Sequence, residues 1–570
     1  MPQLSWVGKD KVKNHHHEVP FHLLDKIRDF QAAPGKPDNR RDNILIHGDN
    51  LLALKSLLPE FGGRVNCIYI DPPYNTGNEG WVYNDNVNDP RIQKWLGAVV
   101  GKEGEDLSRH DKWLCMMYPR LKLLKQLLAD DGVIFISIDD NEQAHLKLIC
   151  DEIFGVGNLL AQMVWRTDGN FDNQAKIKIC HEYVLCYTNK ISLLGLPNGI
   201  DPSIPESSKI FNSYIKNTIV KNGNKNPIST VRLPVGFPCS EQDIIIKQRQ
   251  NSYPHYLNEA TVKNFVLANE TEVSSGWSSK SLLEEFIKND CKPILDSKGQ
   301  KTRFEISATG AIESIKEREN TSHVVSILQG LGSTQNTSND LKTANIVFNF
   351  PKPVGLLEYF INFYTDKNAI ILDSFAGSGT TAHAVLNLNR KDGGNRRFIG
   401  IEMMDYAENI TAERIRRVIN GYGTKPETQQ GTGGGFAFYR VGDALFDAEQ
   451  NLNPAAPVES VRRYIAYTEG LPASALPEHE RPPENGENPP ENPVSPYFLG
   501  MKDGVAYLFH YEPDRATDLS LDFLQTIRTE MLPEKPERWV IYADRTLLSQ
   551  EQMKQLGIVF KRIPRDISKL

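Results

Sequence analysis

An apolar run over residues 65–70 ends abruptly in the tetrapeptide D-P-P-Y, which begins at Asp71. The run predicts a buried parallel strand. Pro72 and Pro73 then fix φ, remove two backbone donors and force Asp71 into an extended conformation, so the carbonyls of Asp71 and Pro72 are left without helical partners. Tyr74 adds a flat ring beside a carboxylate that only accepts hydrogen bonds. These groups suit a planar ligand that carries an amino group, such as a nucleobase.

The same tetrapeptide also fits a rigid surface turn after a strand, and its residues alone leave both interpretations open. D-P-P-Y after an apolar strand resembles the catalytic motif of the amino-methyltransferases that methylate N6 of adenine or N4 of cytosine in DNA. The resemblance implies that Asp71 and the Pro72 carbonyl accept hydrogen bonds from the exocyclic amine. Pro73 belongs to the same motif, and Tyr74 would stack on the flipped base. Within that family, Asp rather than Ser before P-P-Y favours adenine.

A glycine turn, D-S-F-A-G-S-G over residues 373–379, follows a second apolar strand pattern. Gly377 and Gly379 let the backbone approach a ligand closely, and the helix N-terminus that follows favours a carboxylate. The spacing matches neither G-x-G-x-x-G nor a phosphate loop, so dinucleotides and nucleoside triphosphates are not favoured. A plain strand-to-helix connection is the alternative interpretation.

The glycine turn resembles the S-adenosylmethionine motif of the same family. The matching positions, which the resemblance implies as cofactor-binding, are Asp373, Phe375, Ala376, Gly377, Ser378 and Gly379. Lys352 and Pro353, upstream of the turn, resemble the helix motif that flanks the methionine end of the cofactor.

Two further acids stand at the ends of predicted strands. The resemblance implies that Asp49 contacts the adenine amino group of S-adenosylmethionine, and an N-cap for the helix that begins near Leu51 fits equally well. Glu402 ends the strand that follows the glycine turn. An acid in that place commonly binds ribose hydroxyls, because a carboxylate can accept two hydrogen bonds at once. A helix N-terminal acid is the alternative for Glu402.

Strand and helix patterns alternate around these motifs, which predicts an α/β sheet. D-P-P-Y precedes the glycine turn by about 300 residues, so a single site requires two halves of one Rossmann-like sheet to assemble around an insertion. This order resembles the circularly permuted β class of amino-methyltransferases. The intervening segment is rich in Asn, Ser and Thr, with aromatic residues among lysines and arginines, which favours target recognition.

We therefore predict six segments: an N-terminal arm (1–42), the catalytic half of the methyltransferase core (43–190), an inserted target-recognition domain (191–345), the cofactor-binding half of the core (346–420), a flexible linker (421–440) and a small C-terminal α/β assembly domain (441–570). The arm resembles the start of modification subunits of type III restriction systems. His15, His16 and His17 are therefore expected to be structural and not a metal site.

The 570 residues carry a formal net charge of −7. Nucleic-acid-binding domains are often basic, so DNA binding requires the basic residues to lie on one face. The chain has no run of 18 apolar residues and no signal-peptide pattern, which predicts a cytoplasmic protein without membrane segments. Its seven cysteines lack a C-x-x-C pair, so no structural zinc is expected, and the proposed chemistry needs no metal.

Together these features predict a site-specific DNA methyltransferase that transfers a methyl group from S-adenosylmethionine to N6 of a flipped adenine in duplex DNA, as the modification subunit of a restriction–modification system. The expected partners are double-stranded DNA, a second copy of the chain in a homodimer, and a helicase–nuclease restriction subunit. Three alternatives stay open: a solitary DNA methyltransferase for adenine N6 or cytosine N4, a methyltransferase for RNA bases or glutamine, and a non-catalytic DNA-recognition subunit of a nuclease complex.

Overall fold

The computed structural model of the chain describes residues 3–34, 42–76, 94–95, 97–99, 108–167, 176–205, 207–317, 322–471, 494–532 and 534–565. The chain divides into two compact units. The first combines Met1–Pro197 with Val325–Leu570, and the second is Asn198–Val324.

A ten-stranded sheet organises the first unit. Its strands in chain order are β1 (His22–Gln31), β2 (Ile44–His47), β3 (Val65–Ile70), β4 (Leu128–Ile138), β5 (Leu159–Arg166), β6 (His181–Thr188), β7 (Ile327–Leu328), β8 (Ile370–Asp373), β9 (Arg397–Glu402) and β10 (Gly435–Ala444). They lie side by side in the order β1-β10-β2-β9-β8-β3-β4-β6-β5-β7.

The middle of this sheet is parallel. β10, β2, β9, β8, β3 and β4 pair in parallel, whereas β1, β6 and β5 add antiparallel pairings at the two sides. The central strands β3 and β8 are almost wholly buried, as expected for parallel strands that are covered on both faces. The structure therefore has the mixed α/β sheet that the sequence predicts.

Helices cover the faces of this sheet. The helices used below are α1 (Asn50–Phe61), α2 (Arg109–Leu127), α3 (Gln143–Phe154), α4 (Val354–Tyr364), α5 (Thr380–Asp392), α6 (Glu413–Asn420) and α7 (Val458–Thr468). The apolar side of α2 packs into the main core, because Trp113, Met117 and Leu121 are fully buried. Further helical segments lie at Lys9–Val12, His15–Glu18, Thr334–Thr343 and Glu408–Ala412, the last of them a π-helix.

The N-terminal arm and the predicted linker differ from expectation. Residues 22–31 form the edge strand β1, which pairs with β10. β10 also pairs with β2, so residues 435–440 of the predicted linker belong to the sheet. The alternation in G-F-A-F-Y-R-V explains this, because Phe436 and Phe438 are buried while Ala437 and Tyr439, which follow them, are more exposed.

The second unit consists mainly of short strands around its own core. Its strands are Gly199–Ile200, Tyr214–Thr218, Ser229–Leu233, Ile244–Ile246, His255–Tyr256, Ala260–Lys263, Val266–Leu267, Thr271–Ser275, Ile294–Leu295, Lys301–Ile306, Ile312–Glu317 and Ser322–His323, and its helix is Lys280–Lys288. Phe237, Phe286 and Phe304 are fully buried in this core. The unit is shorter than the predicted insertion of 191–345, because Ile327 pairs with Val164 and returns the chain to the main sheet.

The C-terminal segment forms a second, four-stranded sheet of β11 (Phe498–Lys502), β12 (Val505–Phe509), β13 (Arg538–Ala543) and β14 (Ile558–Arg562). We predicted a separate domain from residue 441, but this segment belongs to the first compact unit. The Phe21 ring of the arm packs edge-on against Tyr464 of α7 at 4.9 Å, and Arg463 forms an ion pair with Glu60 at 2.6 Å. Across the described part of the chain, no helix has the length and apolar content to cross a membrane.

Candidate active site

Four neighbouring parallel strands bring the predicted acids to one edge of the sheet. β2, β9, β8 and β3 lie side by side, with His47 opposite Glu402 and Asp373 opposite Gly400. β8 and β3 are aligned at Leu372 and Ile68. Because carboxyl ends of parallel strands share an edge, Asp49, Glu402, Asp373 and Asp71 all leave the sheet there.

The D-P-P-Y turn is held by its neighbours. The indole Nε1 of Trp113 donates a hydrogen bond of 2.7 Å to the Pro73 carbonyl. Pro72 is buried, and among the described residues no hydrogen bond to its carbonyl is found. This carbonyl is therefore available to accept a bond from a ligand, as the sequence predicts.

A lysine and a second acid surround the Asp71 carboxylate. The Lys352 ammonium lies 3.1 Å from Asp71 Oδ2 and 3.2 Å from Glu182 Oε2. The same ammonium lies 4.8 Å from the centroid of the Tyr74 ring, and the Tyr74 hydroxyl donates to Glu182 at 2.9 Å. Asp71 Oδ1 is buried and has no hydrogen-bond partner among the described residues. The cluster thus leaves one oxygen of Asp71 ready to accept a donor.

Electrostatics tune this cluster. Burial raises the pKa of Asp71, the Lys352 ammonium opposes that shift, and the nearby Glu182 carboxylate adds to it. Burial alone would lower the pKa of Lys352, but Asp71 and Glu182 hold it above its ordinary value. Lys352 is therefore a cation at neutral pH and serves as the counter-ion of Asp71.

The residue after D-P-P-Y anchors the turn to a buried carboxylate. Asn75 has a left-handed backbone (φ 60°). Its side-chain Nδ2 donates to Glu142 at 2.5 Å and to the Arg109 carbonyl at 3.2 Å. His110 Nδ1 and His145 Nδ1 contact the two Glu142 oxygens at 2.6 and 2.8 Å. Two ligands on a tetrahedral zinc ion lie about 3.3 Å apart, so these shorter distances favour hydrogen bonds over a metal site.

The glycine turn wraps around two buried carboxylates. Gly377 and Gly379 have left-handed backbones (φ 52° and 81°). The Gly377 amide donates to Glu402 Oε2 at 2.7 Å. Asp373 accepts from the Thr381 hydroxyl at 2.5 Å and from the Phe375 amide at 3.0 Å. The two acids therefore stabilise the conformation of the glycine turn through hydrogen bonds, in addition to lying at the carboxyl edge of the sheet.

Burial perturbs both acids. It raises the pKa of Asp373 to about 7, against the hydrogen bonds from Thr381 and Phe375. It also raises the pKa of Glu402 to about 7, against hydrogen bonds from the Met404 and Gly377 amides. Perturbed acids of this kind cluster at functional sites.

Asp49 caps α1 through hydrogen bonds from the Leu51 and Leu52 amides to its Oδ1, at 2.7 and 3.4 Å. The structure therefore shows the N-cap interpretation directly. Its side chain is 30% exposed and lies 3.7 Å from Arg120, so Asp49 can also take part in ligand binding, which stays a prediction.

The strand edge fits S-adenosylmethionine. Buried carboxylates at Asp373 and Glu402 have lone pairs for hydroxyl and amino donors. The first turn of α5 follows Gly379 directly and favours a carboxylate. A Cβ at Gly379 would lie 3.3 Å from Thr411 at a φ of +81°, so the tight contact and the left-handed backbone both favour glycine there. Bound there, the cofactor would supply an electrophilic methyl group.

We expect affinity for S-adenosylmethionine to rise between about pH 6 and pH 8, because the pKa values near 7 leave Glu402 and Asp373 partly protonated at the lower pH, when they accept hydrogen bonds poorly. Binding then favours the ionised acids and releases protons. Isothermal titration calorimetry in two buffers of different ionisation enthalpy measures both the cofactor affinity and the number of protons released. The Glu402→Gln variant is the control for protons released by the cofactor itself, and equal release from both proteins would contradict the prediction.

Sequence reasoning missed four residues of this edge: Glu182, Asn75, Glu142 and Arg414. Glu182 reaches the site from β6, and Arg414 lies on α6 against the glycine turn. Only Asn75 stood next to a recognised motif, so it alone carried a local signal. The structure also places Lys352 beside Asp71, whereas the resemblance assigned it to the cofactor.

Comparisons with known proteins identify the family. Residues 65–413 match the family model described as DNA methylase. The Mod subunit of the type III restriction-modification enzyme EcoPI, from Escherichia phage P1, is 34% identical over 427 residues, which are 70% of this chain and 63% of that subunit. The Mod subunit of StyLTI from Salmonella typhimurium is 30% identical over 546 residues, covering 88% of this chain and 74% of the relative. This chain thus matches less than two thirds of the length of the first relative and about three quarters of the second.

Among solved structures, a DNA modification methylase from Thermus thermophilus in complex with S-adenosyl-L-methionine shares 14% identity at a TM-score of 0.28. That match covers 66% of this chain and 95% of the other. A TM-score this low carries no argument about the site.

Proposed function

Since the chain belongs to the DNA methylase family, we propose that it is a site-specific DNA methyltransferase that modifies N6 of adenine with S-adenosylmethionine as the methyl donor. One observation carries this proposal. The Lys352 amino nitrogen contacts Asp71 and lies over the Tyr74 ring, and these are the groups expected to contact the amine and the ring, respectively, of a flipped base. The site therefore accommodates a nitrogen donor between its acid and its aromatic ring.

The residues of the D-P-P-Y turn orient the amine. Asp71 and the Pro72 carbonyl accept hydrogen bonds from the two N–H groups of the amine. The nitrogen lone pair then points away from them and toward the methyl donor. Positive charge that develops on the amine is stabilised by the Asp71 carboxylate. Tyr74 stacks on the base after it leaves the helix. Oδ1 of Asp71, which has no partner among the described residues, is free for the amine, while Lys352 stays paired with Asp71 Oδ2 and with Glu182.

The choice of adenine rests on the Asp of D-P-P-Y and on the likeness to type III Mod subunits. Cytosine N4 is the second candidate, since the family model covers both kinds of amine by its name. The Asp71 site offers the same acceptors to either exocyclic amine.

The chain order supports the circularly permuted β class. The catalytic strand β3 precedes the cofactor strand β8, and the second compact unit lies between them in sequence. We assign target recognition to that unit, because its exposed surface carries Lys, Arg and aromatic side chains that suit phosphate and base contacts. The cytoplasm is the proposed location.

Assembly is the proposed role of the C-terminal segment. The chain resembles Mod subunits of type III restriction-modification enzymes, so we assign it a homodimer and a restriction subunit as partners. A solitary methyltransferase is the alternative, and co-purification with a restriction subunit separates the two.

Incubation of the purified chain with unmethylated bacteriophage DNA and S-adenosylmethionine tests the activity. Nucleoside digestion and mass spectrometry should detect N6-methyldeoxyadenosine. N4-methyldeoxycytidine would overturn only the choice of base. Absence of both products, despite cofactor binding, would favour a non-catalytic recognition subunit.

A further inference from the structure

A buried arginine lies directly against the glycine turn. Arg414 on α6 is 2% exposed. Its Nη1 donates to the Ser378 hydroxyl at 2.6 Å, to the Thr380 hydroxyl at 2.8 Å and to the Ser378 carbonyl at 3.3 Å. Its Nη2 lies 3.4 Å from His383 Nδ1. The guanidinium thus contacts both hydroxyls that flank Gly379.

This cation lacks an acidic partner. Among the described residues, the guanidinium hydrogen bonds of Arg414 go to the oxygens of Ser378 and Thr380 and to His383, and none goes to a carboxylate. Its Nε is buried without a hydrogen-bond partner among those residues. Burial lowers the pKa of Arg414 to about 10, although Tyr422 and Asp340 act against the shift. His383 cannot share the charge, because burial and the neighbouring Arg414 lower its pKa well below the usual value. A buried, uncompensated guanidinium is unfavourable unless an anion joins it.

The geometry shows where an anion would be favoured. A hydroxyl oxygen that accepts from a guanidinium keeps its own proton to donate elsewhere, and Ser378 and Thr380 both accept from Arg414. The two hydroxyls lie 3.3 Å apart, so even if one donates to the other, the second still has a proton for a ligand. Thr380 also begins α5, whose N-terminal amides favour negative charge. The Arg414 guanidinium, the Ser378 and Thr380 hydroxyls and the N-terminus of α5 thus all favour an anion on one side of the turn.

We propose that Arg414 is a positioning residue for the methionine carboxylate of S-adenosylmethionine, acting through the Ser378 and Thr380 hydroxyls. The proposal rests on the proposed function, since it assumes this cofactor. The carboxylate supplies the negative charge that Arg414 lacks, and the polarised hydroxyls donate to it. This role differs from a purely structural clamp, in which Arg414 would hold the turn whatever the ligand's charge.

Decarboxylated S-adenosylmethionine, which lacks only the carboxylate, separates the two roles. Isothermal titration calorimetry would compare both ligands on the wild-type chain and on Arg414→Met. We expect the variant to bind S-adenosylmethionine about 10- to 100-fold more weakly, as for the loss of charge-assisted hydrogen bonds. Its affinity for the decarboxylated ligand should stay within about twofold of wild type, because the carboxylate that Arg414 serves is missing.

Arg416→Met is the matched control, since Arg416 lies two residues away on the same helix and is exposed. It should bind both ligands like wild type. Arg414→Lys keeps the charge with fewer donors and should fall between wild type and Arg414→Met for S-adenosylmethionine alone.

Equal weakening of both ligands by Arg414→Met, or loss of all binding, would overturn the proposal and assign Arg414 a structural role. A wild-type chain that binds neither ligand would instead contradict the proposed function. The two failures are therefore distinguishable without knowledge of the DNA target.

Discussion

We expect the Asp71→Ala variant to methylate DNA at least about 100-fold more slowly than the wild-type chain, while its affinity for S-adenosylmethionine stays within about twofold. The cause is specific to the amine. Asp71 lies at the end of β3, its Oδ1 is buried without a partner, and its Oδ2 already contacts an amino nitrogen. Alanine removes the group that orients the amine and stabilises its developing charge, but it leaves the Glu402 and Asp373 carboxylates of the neighbouring strands in place.

Single-turnover methylation with methyl-labelled cofactor gives the rate, and calorimetry gives the cofactor affinity. Asp131→Ala is the control, since Asp131 is an exposed acid of β4 and should change neither quantity. A rate loss that comes entirely from weaker cofactor binding would contradict the assignment of Asp71 to the amine.

The second large effect concerns pH. We expect Lys352→Met to shift the acid limb of the rate profile upward by about one to three pH units, the range by which a neighbouring opposite charge moves a carboxyl pKa. Asp71 must be ionised to accept the amine. Burial already raises its pKa, and removal of the ammonium 3.1 Å away lets it rise further. The rate is therefore lost as pH falls through a higher value than in the wild type.

The groups that face Asp71 determine the size of this shift. Glu182 is a second acid in the cluster and also disfavours ionisation of Asp71. The buried Tyr69 and Asp373 also interact electrostatically with Asp71. Without Lys352, no cation in the described structure pairs with Asp71. Below the acid limb, each pH unit costs the variant about tenfold in rate.

Rate measurements from pH 6 to pH 10 on the wild type, on Lys352→Met and on Lys367→Met test this prediction. Lys367 is exposed on the loop before β8 and should leave the profile unchanged. The deficit of Lys352→Met should shrink as pH rises, because Asp71 is then ionised in both proteins. A deficit that stays constant with pH would mean that Lys352 acts on the reaction in another way.

The placement of the predicted acids followed from local patterns. Apolar strands before Asp71 and Asp373 predicted parallel neighbours, and β3 and β8 do pair in the middle of the sheet. The acidic strand end at Glu402 likewise lies beside the glycine turn, because β9 is the next strand. The carboxyl ends of neighbouring parallel strands lie at the same edge of the sheet. The position of each acid at a strand end in the sequence therefore predicts that the acids lie together.

Other contacts depend on long-range packing and could not be predicted. Glu182 is the second residue of β6. It contacts Lys352 only because β6 pairs with β4. Arg414 follows a π-helical turn and meets the glycine turn through side chains that no periodic pattern specifies. The predicted linker was wrong from residue 435. Its glycines favoured a flexible segment, but the alternating residues that follow them form β10, which pairs with β1 and β2.

Sequencing of modified bases in DNA from cells that express the wild-type chain or Asp71→Ala tests the central claim most directly. We predict N6-methyladenine at one sequence context with the wild type and none with the variant. That result would identify the reaction, the base and the recognition sequence together. Equal adenine methylation in both samples would contradict the assignment of Asp71 as the group that orients the amine.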